Sequence, residues 1–302
     1  MPTERDIDNA CEEALRTMRV RSDQAEIAFF GGSFTAIDRE TMLTLLRAAF
    51  PYVKSGKFGG IRISTRPDAI DDVVLSLLRE HGVTTIELGA QSMRDGVLHR
   101  NGRAHTALQV ETAAHLVKEY GFSLGLQMMT GLPGDDDDGA METARRLADL
   151  EPDFVRIYPT LVMEHTPLAA WYKRGEYRPQ TMEEAVALCA RLLRFFEEER
   201  GISVIRLGLH NDAKMREHCL AGPLHPAFRE RCESRVWFWK VREMLNQKAG
   251  NNVLIAVHPS RVSQVIGQKK ENIQALQIEG YAVTVTADDG LTEKDMRVEV
   301  IE

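Results

Sequence analysis

The chain has 302 residues, 43% of them hydrophobic and 27% charged, with a formal net charge of −7. That length and apolar content can bury the core of one large domain plus a small one. No apolar run approaches the roughly 20 residues needed to span a bilayer, the N-terminus Met1-Pro2-Thr3-Glu4-Arg5-Asp6 is too polar for a signal peptide, and the acidic balance excludes a broadly nucleic-acid-adhesive surface while leaving room for a local basic one.

The expected compartment is therefore the cytoplasm, with no membrane partner. Cys11, Cys189, Cys219 and Cys232 are scattered without any C-x-x-C pair, which argues for reduced thiols and against a disulfide framework or a compact metal knuckle.

In chain order, the first predicted element is an amphipathic helix carrying Ile7, Ala10, Cys11, Ala14, Leu15 and Met18. Predicted strands at 26–30, 60–64, 84–88, 124–129 and 153–158 then alternate with predicted helices at 41–50, 70–81, 107–120 and 140–150. Such βα repetition implies parallel strands joined by right-handed crossovers, in an open doubly wound sheet or a barrel. In both, ligands sit at the C-terminal ends of the strands. Those ends carry Gly31-Gly32-Ser33, Ser64-Thr65-Arg66-Pro67, Gly89-Ala90-Gln91-Ser92 and Thr130-Gly131-Leu132-Pro133-Gly134. The glycine pair closes an apolar strand and would present bare backbone to a ligand.

Asp135 to Asp138 read as a solvated turn, because four consecutive carboxylates cannot converge on one ion. The spacing of Leu188, Leu192, Phe195 and Phe196 predicts the core face of a helix. His210, His218, Cys219, His225 and Cys232 lack the tight spacing of a zinc finger or ribbon, and Trp237 and Trp239 are expected to be buried. After them the pattern predicts a strand at 252–257, a short helix at 259–266, a turn at 267–270, a second helix at 271–278, and strands at 281–286 and 296–301.

Six segments carry a family resemblance. Gly31-Gly32-Ser33-Phe34-Thr35, Ile63-Ser64-Thr65-Arg66-Pro67-Asp68, Glu87-Leu88-Gly89-Ala90-Gln91-Ser92, Asn101-Gly102-Arg103-Ala104-His105-Thr106, Met128-Met129-Thr130-Gly131-Leu132-Pro133-Gly134 and Arg156-Ile157-Tyr158-Pro159-Thr160-Leu161-Val162 resemble, in order and spacing, the radical S-adenosylmethionine (SAM) core of the catalytic subunit of Elongator. The match covers residues 3–208. Oxygen-independent coproporphyrinogen oxidases show a looser version. The fold this implies is α/β: a partial (β/α)6 TIM-like barrel over residues 1–208 that lacks its first strand. Residues 209–247 would be a linker packing on the barrel, and 248–302 a small α+β domain.

The resemblance also implies roles. The carbonyls of Gly31 and Gly32 would accept hydrogen bonds from the amino group of SAM, with Ser33 and Thr35 assisting. Ser64, Gln91 and Arg103 would hold its ribose or carboxylate, and Leu132-Pro133-Gly134 would pack on adenine. Ser64 and Gln127 stand where the coproporphyrinogen oxidases carry a glutamate and an aspartate. The family mounts a 4Fe–4S cluster on a C-x-x-x-C-x-x-C triplet, which this sequence does not contain. The expectation is an N-terminally truncated chain, inactive alone, beside two alternatives: a split protein whose cluster half is another chain, and a degenerate relative.

Intact, such an enzyme would take electrons from a donor at the cluster and cleave SAM reductively to a 5′-deoxyadenosyl radical acting on an RNA such as tRNA. Two alternatives stand beside it: a noncatalytic RNA-binding or scaffold protein on a degenerate barrel, and a radical SAM enzyme acting on a small molecule as the coproporphyrinogen oxidases do. The residues beyond Gly208 are too few for Elongator's acetyltransferase domain, so the resemblance implies no acetyl-CoA chemistry.

The C-terminal segment resembles a K-homology module, in which Ile-Gly-x-x-Gly-x-x-Ile clamps a nucleic-acid backbone. Ile266-Gly267-Gln268-Lys269-Lys270-Glu271-Asn272-Ile273 keeps that frame with Lys270 at the second glycine, so Gly267, Gln268, Lys269 and Lys270 are the implied RNA contacts.

Overall fold

The computed structural model describes residues 2–19, 21, 24–209, 212–246 and 250–301. In chain order these form α1 (Glu4–Thr17), β1 (Glu26–Phe29), α2 (Arg39–Lys54), β2 (Gly60–Thr65), α3 (Asp72–Glu80), β3 (Val83–Gln91), α4 (Asp95–Arg100), α5 (Ala107–Glu119), β4 (Ser123–Thr130), α6 (Asp137–Asp149), β5 (Phe154–Pro159) and β6 (Val162–Met163). They continue with α7 (Pro167–Lys173), α8 (Met182–Arg194), β7 (Ser203–Leu207), α9 (Ala213–His218), β8 (Cys219–Ala221), α10 (Phe228–Leu245), β9 (Asn252–Val257), α11 (Val262–Ile266), α12 (Glu271–Ile278), β10 (Ala282–Ala287) and β11 (Met296–Val300). Two compact units result, one of residues 1–158 with 200–206, the other of 159–199 with 207–302.

The first unit is built on a curled six-stranded parallel sheet in the order β1-β2-β3-β4-β5-β7. The βα alternation is compatible with an open sheet or a barrel, and this is the half-barrel that the family resemblance implies; β7 was not among the predicted strands. One face of each inner strand is mainly apolar and closed: Ile61 and Ile63, Ile86 and Leu88, Leu124 and Leu126, Val155 and Ile157 have no exposed surface. At roughly 2 kcal/mol for each fully buried aliphatic side chain, this face supplies much of the driving force for folding. The helices that cover it start where the sequence supplies caps. Asp38, Asp71, Thr106 and Asp136 accept from the backbone N–H groups of Thr41, Val74, Gln109 and Gly139, each such cap contributing about 1 kcal/mol.

The aspartate run corrects the expectation of a solvated turn. Asp136 is the N-cap of α6, which therefore begins ahead of the predicted 140, and Asp137 and Asp138 occupy its first turn, where the helix dipole favours them. Asp135 points inward and its side chain is only 2% exposed.

In the second unit, α8 packs on α10, burying Leu188, Leu192, Phe195 and Phe196 as their spacing predicts. The 18-residue α10 occupies much of the segment read as a linker. Trp237 on it is buried and Trp239 half-buried. The C-terminal residues form a three-stranded sheet with β9 between parallel β10 and antiparallel β11. Its core of Val253, Ile255, Val257, Val265, Leu276 and Val298 is completed by Trp237, Val241 and Leu245 of α10. Buried Asn272 locks the turn before α12 onto that helix, its amide lying 2.9 Å from Ser234 Oγ, 3.0 Å from the Ser234 carbonyl and 3.1 Å from the Val265 carbonyl.

Among the described residues, no helix is long and apolar enough to cross a membrane, and no three His, Cys, Asp or Glu side chains form a group able to hold a metal ion. His210 lies outside the described residues.

Candidate functional site

Parallel register brings the strand ends together. Phe29 pairs with Ile63, Thr65 with Leu88, and Gln91 with Met128, so Gly31, Ser64, Gln91 and Gly131 lie at the same edge of four adjacent strands. Gly31 and Gly32 have φ of +101° and +107°, and a Cβ on either would project into open space. The pair is exposed, so the positive φ values alone reserve these positions for glycine, and they leave a backbone surface that nothing in the fold covers. Thr35 clasps the far end of this loop: its hydroxyl donates to the Ala69 carbonyl at 2.7 Å and lies 2.6 Å from Thr65 Oγ1. Half-buried Ser33 begins the turn between glycines and clasp.

Gln91 is the strained residue of the site, with φ of +65° at the register shift between Gly89 and Gln91. A non-glycine residue held there costs of order 1–2 kcal/mol and persists only when its surroundings fix it. Two neighbours do so. Buried His105 places Nε2 3.0 Å from the Ala90 carbonyl, and Gly89 leaves the space into which the Gln91 amide folds, since a Cβ on Gly89 would lie 2.7 Å from Gln91 Nε2.

Arg103 reaches the same edge, its Nη2 3.7 Å from the Met129 sulfur. Desolvation pulls its pKa below the ordinary arginine value; among the described residues no carboxylate pairs with it. Beyond β4, Leu132 and Pro133 are buried. Asn101 braces the loop, donating to the Pro133 carbonyl at 3.0 Å and the Val97 carbonyl at 2.8 Å.

The strand residues that alternate with the closed apolar ones form a charged lattice. Glu87, fully buried, accepts from Arg62 Nη1 at 3.1 Å, Arg156 Nη2 at 2.8 Å and Gln127 Nε2 at 2.8 Å. The Gln127 amide also donates to Ser64 Oγ at 2.6 Å. Arg62 bonds Glu26 through Nε at 2.7 Å and through Nη2, and Thr84 and Thr85 donate to the other Glu26 oxygen. Burial pushes the Glu26 carboxyl up, but the Thr85 and Arg62 hydrogen bonds and the Arg62 charge outweigh it and hold its pKa below the usual value.

Of the residues singled out in the sequence, Gly31, Gly32, Ser33, Thr35, Ser64, Gln91, Arg103, Gln127, Leu132 and Pro133 thus belong to one strand-end region, while Gly267, Gln268, Lys269 and Lys270 belong to the second unit. Glu26, Arg62, Glu87 and Arg156 were missed. The only trace of them in the sequence is a single charged residue inside each of four mainly apolar strands.

Comparison with known proteins follows the same outline. Residues 3–147 match the family model described as the radical SAM superfamily, and residues 152–237 match its C-terminal domain model. The chain belongs to the radical SAM superfamily. Among similar proteins, a tRNA uridine(34) acetyltransferase of Methanocaldococcus jannaschii is 35% identical over 129 residues, 42% of this chain and 24% of that protein. Human Elongator complex protein 3 is 30% identical over 201 residues, 60% of this chain and 37% of the human protein. The chain thus aligns with well under half the length of either. The solved structure of archaeal Methanocaldococcus infernus Elp3 with an N-terminal deletion superposes with a TM-score of 0.63 at 23% identity, covering 80% of this chain and 60% of that one, which shows a shared fold.

Replacing Gln91 with glycine relieves the left-handed strain. The variant is expected to be more stable than wild type by up to about 1 kcal/mol in denaturant unfolding; a loss of stability would show that the Gln91 side chain holds the fold rather than the site.

Asp135 yields a pH test. Burial raises its pKa, with Arg94 only partly offsetting this, so the native state holds the proton more tightly than the unfolded chain. Stability from this group is full below the ordinary aspartate value and is lost as the pH rises through the raised native one. Asp135→Asn is expected to melt above wild type at pH 7, with the difference shrinking as the pH falls towards 4; melting curves at both pH values check this.

Proposed function

We propose that this chain is the SAM-binding barrel of a radical SAM protein that acts on tRNA. The observation that carries the cofactor half is the glycine pair: two uncovered backbone units held at positive φ, at the same sheet edge as an unpaired guanidinium and a strained glutamine. The carbonyls of Gly31 and Gly32 accept the amino group of the ligand, Arg103 takes its carboxylate, and the Gln91 amide, fixed by its own backbone geometry, bonds a ribose hydroxyl. Leu132 and Pro133 give adenine an apolar neighbour. Thr35 serves by holding the loop, since its hydroxyl is already bonded to Thr65 and Ala69. Ser64 and Gln127 bond each other and, through Glu87, set the polarity behind the ligand. When bound in this superfamily, SAM supplies a hydrogen-abstracting adenosyl group.

The iron–sulfur cluster used by the superfamily does not fit the residues present. Cys11 is buried in α1, Cys189 and Cys232 are buried in α8 and α10, burial holds the Cys232 thiol protonated, and no three ligands converge among the described residues. This observation supports the second reading, in which the chain by itself binds ligand and RNA without performing the reaction.

The tRNA half rests on the named activity of the acetyltransferase relative and on the turn at Gly267. Lys269 and Lys270 both adopt left-handed conformations, φ +52° and +65°, and both are exposed. Two consecutive strained lysines ahead of a helix present two ammonium groups to a phosphate.

Calorimetric titration with S-adenosylhomocysteine is expected to show one site, weakened about tenfold or more in Arg103→Met, as loss of a charge-assisted hydrogen bond requires. Anaerobic incubation with iron and sulfide is expected to leave no stoichiometric 4Fe–4S centre. Absence of binding by wild type would refute the cofactor assignment.

For RNA, changing Lys269 and Lys270 together to glutamate should weaken tRNA binding and flatten its dependence on salt, because fewer counterions are released. Equal binding by wild type and variant at two salt concentrations would leave the turn as a structural cap.

A further inference from the structure

Phe30 is the exception among the aromatic side chains of the first unit. It follows β1 directly and precedes the glycine pair, on the same strand face as Glu26 and therefore on the face of the charged lattice, yet 54% of its surface is exposed. Its neighbour Phe29 behaves ordinarily, stacking on Phe34 with ring centroids 4.8 Å apart. Phe30 instead lies against Arg156, whose guanidinium sits 4.9 Å from the ring centroid.

That guanidinium is fixed. Nη2 donates to Glu87 at 2.8 Å and Nη1 to the Tyr158 hydroxyl at 3.3 Å, while Nε–H is enclosed and bonds nothing. Glu87 is shared with Arg62 and Gln127, so it neutralises Arg156 only in part. An exposed aromatic ring backed by an anchored cation is a stacking platform: the ring supplies a flat apolar face, and the cation fixes and polarises it from behind.

We propose that Phe30, backed by Arg156, forms a stacking subsite for a nucleobase of the RNA substrate, with the base lying on the exposed face of the Phe30 ring. This rests on the reading of the chain as an RNA-acting radical SAM barrel and names where the reacting nucleotide would sit. The subsite is separate from the proposed adenine neighbour. Leu132 and Pro133 follow β4, three strand spacings or roughly 14 Å along the curled sheet from β1, so the sheet edge offers positions for two planar groups on either side of the Gln91 amide. Single-stranded bases are recognised in this manner, each stacked base contributing about 1–3 kcal/mol.

The test uses the full chain and uridine 5′-monophosphate, with ribose 5-phosphate as the control lacking a base. In Phe30→Trp, the fluorescence in excess of wild type reports directly on the platform and is expected to be quenched saturably by the nucleotide and not by the sugar phosphate. Nucleotide affinity measured by ligand-observed NMR is expected to be retained within about threefold in Phe30→Tyr and to fall about tenfold in Phe30→Leu. Circular dichroism melts confirm that each variant is folded. Equal quenching by nucleotide and sugar phosphate, unchanged affinity in Phe30→Leu, or no nucleotide binding by wild type at millimolar concentration would each overturn the subsite. S-adenosylhomocysteine binding by wild type in the same preparation separates the two ideas: bound S-adenosylhomocysteine without nucleotide binding sinks the subsite and spares the cofactor reading, whereas the reverse sinks the cofactor reading alone.

Discussion

The first unit depends on how it keeps one carboxylate charged in its interior. Glu87 has no exposed surface and carries two guanidiniums and an amide around it. A buried ion costs several kcal/mol unless its partners are close and well oriented, and losing one partner of a buried pair costs about 3–5 kcal/mol. Every strand from β1 to β5 contributes to meeting that cost, through Glu26, Arg62, Gln127 and Arg156. The lattice therefore sets strand register as well as polarity: a slip of one residue in any of these strands would exchange a polar lattice side chain for an apolar one.

Glycine makes the lattice possible at two points. A Cβ on Gly125 would come within 2.4 Å of the Phe154 ring, on which the Arg62 guanidinium stacks at 4.8 Å. A Cβ on Gly89 would displace the Gln91 amide. Small residues on the inner strands thus give way to larger neighbours that carry polarity or an aromatic face, and this lets a half-barrel sheet be filled without becoming uniformly apolar.

Much of this was legible in the sequence, for identifiable reasons. The βα alternation and the glycine-rich strand ends depend on local patterning, and local patterning survives folding: the predicted strands at 26–30, 60–64, 84–88, 124–129 and 153–158 all exist, as does the α8 core face from Leu188 to Phe196. What escaped depends on pairing between distant segments. Glu87 and Arg156 read singly as ordinary charged residues, and only strand register shows that they meet. Gln91 gives no sign in one dimension of its left-handed backbone. Asp135 was read as part of a solvated turn because four consecutive carboxylates cannot converge on one ion, although it lies inward of the N-cap at Asp136. The helix from Phe228 to Leu245 was hidden because its apolar residues face two neighbours, α8 on one side and the C-terminal sheet on the other, which blurs the single stripe that marks a surface helix.

The Thr35 clasp changes what ligand capture costs. A glycine pair in a free loop would lose about 1–2 kcal/mol of backbone entropy per residue on being ordered by a ligand, enough to weaken binding roughly 5- to 30-fold for each residue. Here the hydroxyl of Thr35 ties the loop to Thr65 and Ala69 only three residues past Gly32, and β1 fixes its other end. The ordering is thus completed during folding, before any ligand arrives. A clasped loop of this kind should capture its ligand quickly and with little rearrangement, and should discriminate by shape, since a molecule that needs a different backbone path must first break the threonine pair.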